Sequence, residues 1–228
     1  ALSAGNNDST HDNTCVGYAS GGGITTGANN TCIGYNTGGS VSGTDNIVIG
    51  RNAFDAATNA ESFNIAIGTD AMGSMDEDDN GSDVNYNIAI GNLALLGGDF
   101  NDKDKQVTHN IAMGYGAMDG TGSVQALQNT FIGQHAGGGT WAGTAGCAEN
   151  VGVGVYTLGG AMDDSHRNTA LGSSALNAVT TGDDNIGIGQ DAGNSITTGS
   201  SNTYIGQNAD ASGVGVANET AIGHDAVG

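Results

Sequence analysis

The chain has 228 residues, 4 Lys+Arg against 24 Asp+Glu for a formal charge of −20, 42 Gly, one Trp and no Pro. That excludes collagen, which needs Gly at every third position with abundant Pro, and argues against a nucleic-acid binder, which needs Lys and Arg to neutralise phosphates. No apolar run approaches the ~18–20 residues of a membrane span, no signal-peptide pattern is present, and so much Gly disfavours long helices, at roughly 1 kcal/mol per helical site relative to Ala.

One unit recurs along the whole chain: Asn, then Thr or Ile, a variable residue, Ile or a relative, Gly, two variable residues and a small residue. It reads NTCVGYAS from Asn13, NTCIGYNT from Asn30, NIVIGRNA from Asn46 and NIAIGTDA from Asn64. It continues as NIAIGNLA from Asn87, NIAMGYGA from Asn110, NTFIGQHA from Asn129 and NVGVGVYT from Asn150. NTALGSSA from Asn168, NIGIGQDA from Asn185, NTYIGQNA from Asn202 and ETAIGHDA from Glu219 complete twelve copies, and only the last replaces the leading Asn. Successive motif glycines, from Gly17 to Gly223, are 17, 16, 18, 23, 23, 19, 21, 18, 17, 17 and 17 residues apart. A period of about 17, lengthened in the middle, is too short for a helical hairpin and suits one coil of a β-solenoid.

Within each copy the second and fourth positions are apolar or Thr, as in Ile65 and Ile67, Ile88 and Ile90, and Ile186 and Ile188. This period of 2 predicts a short strand, with those two positions expected to face the core. The third position ranges from Gly152 to Tyr204 and reads as the less strictly packed side. The motif Gly turns the chain, at positive φ or where another backbone passes close. Small residues at the eighth position (Ala53, Ala71, Ala136, Ala192) suit a crowded corner, and the motif Asn are expected to stack as a ladder. Two sizeable apolar side chains per coil supply ~3–6 kcal/mol of gross burial, less than the entropy cost of ordering a coil. Neighbouring rungs or further chains must supply the rest, so an oligomer is expected. Residues 1–228 read as a single repeat array that starts and stops in mid-copy without capping sequence. The expectation is a segment of a longer fibrous protein, or a unit that stacks end to end.

The Asn-Ile-Ala-Ile-Gly and Asn-Thr-x-Ile-Gly units resemble the repeats of trimeric autotransporter adhesin heads and of related bacteriophage tail fibres. The resemblance spans essentially the whole chain. It implies a left-handed parallel β-roll wound by three identical chains, with host surfaces as the binding partner. The period here is longer and less regular than in adhesin heads. Continuations such as Ala136-Gly137 and Ala175-Leu176 look more like phage fibres.

Chemistry-bearing candidates are few. Asp76-Glu77-Asp78-Asp79-Asn80-Gly81 matches the first half of an oxygen-ligand calcium loop, with Asp76, Asp78 and Asn80 as ligands, but position twelve is Asn87 rather than a bidentate Glu. A solvated acidic insertion is the plainer reading. The lengthened copies also insert Asp99–Gln106 and Gly138–Cys147, which would form one patch containing Phe100, Lys103, Lys105 and Trp141. Exposed aromatics beside polar groups suit a glycan receptor, and Phe100, Lys103 and Trp141 are the receptor-binding candidates. Cys15 and Cys32 share the third position of adjacent copies and read as two stacked free thiols. With Cys147 the count is odd and lacks metal spacing. The five His are scattered, and no spacing selects a catalytic triad or a phosphate loop.

The expected molecule is therefore all-β: a parallel β-solenoid of about twelve rungs, in a homotrimer, non-enzymatic, serving as a fibre or adhesin segment on a virion or cell surface. Two alternatives stand beside it: a solenoid with a regular ligand-binding face of the ice-binding type, and a self-stacking extracellular filament subunit.

Overall fold

The computed structural model describes residues 12–39, 41–57, 60–75, 83–98, 105–122, 124–141 and 145–228. Among them there is no helix, and every strand pairing is parallel. Each motif contributes one three-residue strand to a single twelve-stranded sheet. The strands are β1 (Thr14–Val16), β2 (Thr31–Ile33), β3 (Ile47–Ile49), β4 (Ile65–Ile67), β6 (Ile88–Ile90) and β8 (Ile111–Met113). They continue with β10 (Thr130–Ile132), β12 (Val151–Val153), β13 (Thr169–Leu171), β14 (Ile186–Ile188), β15 (Thr203–Ile205) and β16 (Thr220–Ile222), in chain order across the sheet. Each coil advances the chain by one strand, so at ~4.8 Å per rung the sheet is about 55 Å long. This is the parallel β-solenoid that the repeat predicts.

Where the copies are longest, the extra residues add a second wall. β5 (Asp83–Asn85), β7 (Gln106–Thr108), β9 (Ala126–Leu127) and β11 (Cys147–Ala148) form a four-stranded parallel sheet just upstream of their motifs. The bridge Ala148–His166 extends it toward the next coil.

The motif Asn build the ladder that sets the register. Oδ1 of Asn87 accepts the backbone N–H of Asn110 at 3.1 Å and its Nδ2–H at 3.0 Å, and Asn110 Nδ2 also donates to Ala126 O at 2.8 Å. The two-bond link repeats from Asn46 to Asn202, and every motif Asn from Asn30 to Asn202 is fully buried. Glu219 joins through its backbone N–H, 2.9 Å from Asn202 Oδ1, while its carboxylate accepts the Tyr204 hydroxyl at 3.0 Å. The motif Gly stack just as closely. Gly91 has φ 141°, and a Cβ there would run into the carbonyl oxygen of Gly114 one rung on, so both reasons anticipated for Gly apply together.

The expected orientation of the strands is reversed. In every strand from β2 to β16 of the large sheet the third motif position is buried and the second and fourth are not. Ile65, Ile67, Ile88 and Ile90 point outward, and Ala66 and Ala89 point in. The reason is volume. Third positions face ninth positions inside a narrow coil, as Cys15 does Gly21, Cys32 Gly38 and Phe131 Gly137, and in most coils the two are complementary in size. By the same spacing Ala66 is paired with Met72, Ala89 with Leu95 and Ala112 with Met118, all fully buried. A Cβ on Gly137 would lie 2.9 Å from the Phe131 ring. The variation at position three is compensated packing, and the eighth-position Ala are buried as expected.

The large ninth-position residues carry strain. Phe54, Met72, Leu95, Met118, Leu158 and Leu176 have φ between 46° and 54° yet are fully buried. The left-handed region costs such side chains of order 1–3 kcal/mol each, and it persists only where packing over-determines it.

Two substitutions distinguish the faces. Ala89→Leu is expected to destabilise by about 1–3 kcal/mol in urea because Leu95 already fills the space, and by more than Ile88→Thr, which places at this outward position the residue that Thr31 and Thr130 supply in other copies. Asn110→Ala, which strands the Ala126 carbonyl and the Asn129 N–H, is expected to cost about 2–4 kcal/mol in the same measurement.

Candidate functional site

The reversal places the twelve-stranded sheet's second and fourth positions on the outside. Both columns run unbroken, through Thr31, Ile47, Ile65, Ile88 and Ile111 in one and Ile33, Ile49, Ile67, Ile90 and Met113 in the other. Ile47 is 40% exposed and Ile188 37%. Two positions on each of twelve strands make twenty-four side chains, and none is charged in a chain of net charge −20. At ~4.8 Å per rung and ~3.3 Å per residue the strip is roughly 55 by 10 Å. Its area of about 550 Å² lies at the upper end for the largest apolar patch of an ordinary monomer.

Charges collect at the corners beside this strip. The residue before each motif Asn is left-handed in all twelve copies, with φ from 56° to 62°, and this column includes Asp45, Glu149, Arg167 and Asp184. Arg167 donates to both oxygens of Asp184, at 2.6 and 3.0 Å, and its guanidinium holds that carboxyl below its ordinary range. On the opposite side of the strip the seventh positions are left-handed as well and include Asp70, Asp191 and Asp225. The backbone thus turns polar side chains away at both margins and leaves the middle aliphatic.

The same corners hold exposed aromatic ladders that sequence reading missed. Phe63 stacks on Tyr86 at 4.8 Å and 1°, and Tyr86 on His109 at 4.9 Å and 19°. Tyr18 and Tyr35 stack at 5.2 Å, and His135 and Tyr156 at 5.4 Å. The signal was available, since Phe63, Tyr86 and His109 each immediately precede a motif Asn. Within each ladder the facing ring surfaces cover one another, which leaves the edges and the outer faces of the end rings to solvent.

Among the receptor candidates, Trp141 is corrected. It is 4% exposed, donates Nε1–H to Gly137 O at 3.0 Å and packs edge-on against Phe131, 6.3 Å between ring centres. A large indole is placed where apolar burial is worth most, with its one donor satisfied. Phe100 and Lys103, and the calcium candidates Asp76, Asp78 and Asn80, lie outside the described residues. Among the described residues no group of three or more His, Cys, Asp and Glu could hold a metal ion, and no helix is long and apolar enough to cross a membrane.

Cys, His and Asp side chains meet around a cavity of about 90 Å³ lined by residues that include Gln125, Leu127, Cys147, Ala148, Asp164 and His166. His166 Nε2 lies 2.9 Å from Asp164 Oδ1. The Cys147 side chain, however, is fully buried, and burial pushes its thiol up to about 11. A thiol so protonated is not an activated nucleophile, and the cavity is well below the ~300 Å³ of ordinary ligand sites. Cys147 is accordingly expected to resist alkylation at pH 8 in the folded protein and to react once urea unfolds it, as peptide mapping would show.

Among the described residues, the most continuous surface feature is the uncharged strip, bordered by charged and aromatic corners. No protein-family model, curated protein sequence or solved structure matches the chain.

Proposed function

We propose that this chain is a structural fibre or attachment segment, of the virion tail-fibre or cell-surface type, that works without catalysis and associates with copies of itself. The observation that carries the reading is the uncharged aliphatic strip on the outside of the twelve-stranded sheet. A chain of net charge −20 repels its own kind over most of its surface. The strip is where a second copy can approach without opposing like charges, and burying it adds to the stability that the Asn ladder and the core give each coil. The number three comes from the likeness of the repeats to trimeric adhesin heads and tail fibres. In this reading receptor contact, to a host-surface glycan, falls to the inserted stretches that carry Asp76, Asp78, Asn80, Phe100 and Lys103, with calcium as the ion suited to the first three.

A second reading gains from the reversed strands. Thr14, Thr31, Thr130, Thr169, Thr203 and Thr220 belong to the outward column, so a regular face turned toward ice is consistent with their orientation. The contiguous Ile47, Ile65, Ile88 and Ile111 favour a protein partner over water.

Sedimentation equilibrium separates the two. The parent protein is expected to sediment as a trimer, and Ile88→Asp, Ile90→Asp as a folded monomer with unchanged β-type circular dichroism. A well-folded parent monomer at micromolar concentration would overturn the self-association. Thermal hysteresis in that monomer would establish the ice-binding reading in its place.

A further inference from the structure

Cys15 and Cys32 are Cα partners in the β1–β2 pair, and both occupy third positions, the column that faces into the coil. Parallel neighbours sit ~4.8 Å apart, within the roughly 4.4–6.8 Å Cα separation that a disulfide spans. Two glycines clear the volume that the sulfurs need. A Cβ at Gly21 would lie 2.5 Å from Cys15 Sγ, and one at Gly38 would lie 2.7 Å from Cys32 Sγ. The thiols lie close enough to influence each other's ionisation and are unbridged. They differ in access: Cys32 is fully buried, whereas Cys15, on the terminal strand of the sheet, is partly exposed.

We propose that Cys15 and Cys32 form a redox-responsive pair, closing a reversible rung-to-rung disulfide when the protein meets a small-molecule disulfide of the oxidised-glutathione class. The order of events follows from access. The Cys15 thiolate, its proton released to water, attacks one sulfur of the oxidant. The oxidant's S–S bond breaks, a mixed disulfide forms on Cys15, and the first small thiolate leaves and takes up a proton. Cys32, whose burial pushes its thiol up to about 12, then attacks Cys15 Sγ from the neighbouring rung and hands its proton to the departing small thiolate, so this second step is the slow one, driven by the adjacency that Cys147 lacks. Two cysteine thiols are oxidised to one disulfide and one small disulfide is reduced to two thiols, so atoms and electrons balance.

The geometry also sets the character of the bond. Side chains on the same face of parallel neighbours point the same way, so their Cβ atoms start near the ~4.8 Å rung spacing, wider than the roughly 3.5–4.5 Å of a relaxed disulfide. Closure draws two rungs together against the Asn ladder, and a bond held under such strain is readily reduced. The pair therefore behaves as a reversible staple on the first two described coils.

The test uses the whole folded chain, incubated with oxidised glutathione, alkylated, digested and mapped by mass spectrometry, with circular dichroism recorded throughout. The expected product is a Cys15–Cys32 linked peptide lighter by two hydrogens, formed faster as pH rises, with unchanged β-type dichroism. Reduced glutathione is expected to reopen it without unfolding, and Cys15→Ser is expected to leave Cys32 unoxidised. A glutathione adduct that persists on Cys15, a link between Cys15 residues of two chains, or two unchanged thiols would each overturn closure. A bond that forms only with loss of the β signal would overturn it too. A bond that closes but withstands reduced glutathione would overturn its reversibility.

Discussion

The buried asparagine ladder is the constraint on which the rest of this molecule rests. Each motif Asn accepts two hydrogen bonds from the next rung and donates to a carbonyl three residues before the next motif, as Asn110 does to Ala126. One side chain thus ties rung to rung and joins the strand to the segment that leads into the following copy. An amide provides both donor and acceptor without charge, and all of its groups are matched, so its burial costs little. A carboxylate cannot do both. At Glu219 the backbone N–H still meets Asn202, but the side chain turns to Tyr204 and Ser212. With the register held by polar bonds, the apolar residues are free to vary in size.

That freedom explains how so thin a coil is filled. In most coils the interior pairs a bulky third-position or ninth-position side chain with a small one, and the bulky ninth positions sit on a left-handed backbone. The outer face shows the opposite tendency. It keeps β-branched and aliphatic residues rung after rung although nothing in a single chain covers them, while the strained corners carry the charge. Packing within one chain accounts for the inside, and the self-association proposed above would account for the outside.

Much of the architecture was legible in the primary structure. The strict Asn and Gly spacing reports hydrogen bonds and backbone clashes that admit no substitute, and the ladder, the coil period and the single sheet follow from it. The facing of the strands was not legible from alternation. In Asn-Ile-Ala-Ile-Gly a period of two marks two faces without saying which is inside, and hydrophobicity misleads when the interior has room only for Ala. The informative comparison was between positions, Ala89 against Leu95 and Phe131 against Gly137, because volumes that compensate must touch. Trp141 was misplaced for a related reason: a lone Trp in an inserted stretch looks exposed until the Gly137 carbonyl and the Phe131 ring that receive it are known.

The size matching between third and ninth positions has a consequence for how such an array can grow or shrink. Where the two complement one another within a single coil, as with Ala89 and Leu95, that coil's filling is self-contained at these columns, and a copy of it can be duplicated or lost in one step. Elsewhere the accounts are shared. Gly187 and Gly193 leave their own coil nearly empty, and Leu176 from the preceding coil and Tyr204 from the following one occupy the space, with atoms 2.6–2.8 Å from where a Cβ would stand. Those three coils are heritable only as a block, since removing the middle one would drive Leu176 and Tyr204 into each other. Recombination breakpoints in relatives should therefore fall outside the stretch from Leu176 to Tyr204, so that the length of the array changes by single coils in some places and by groups in others.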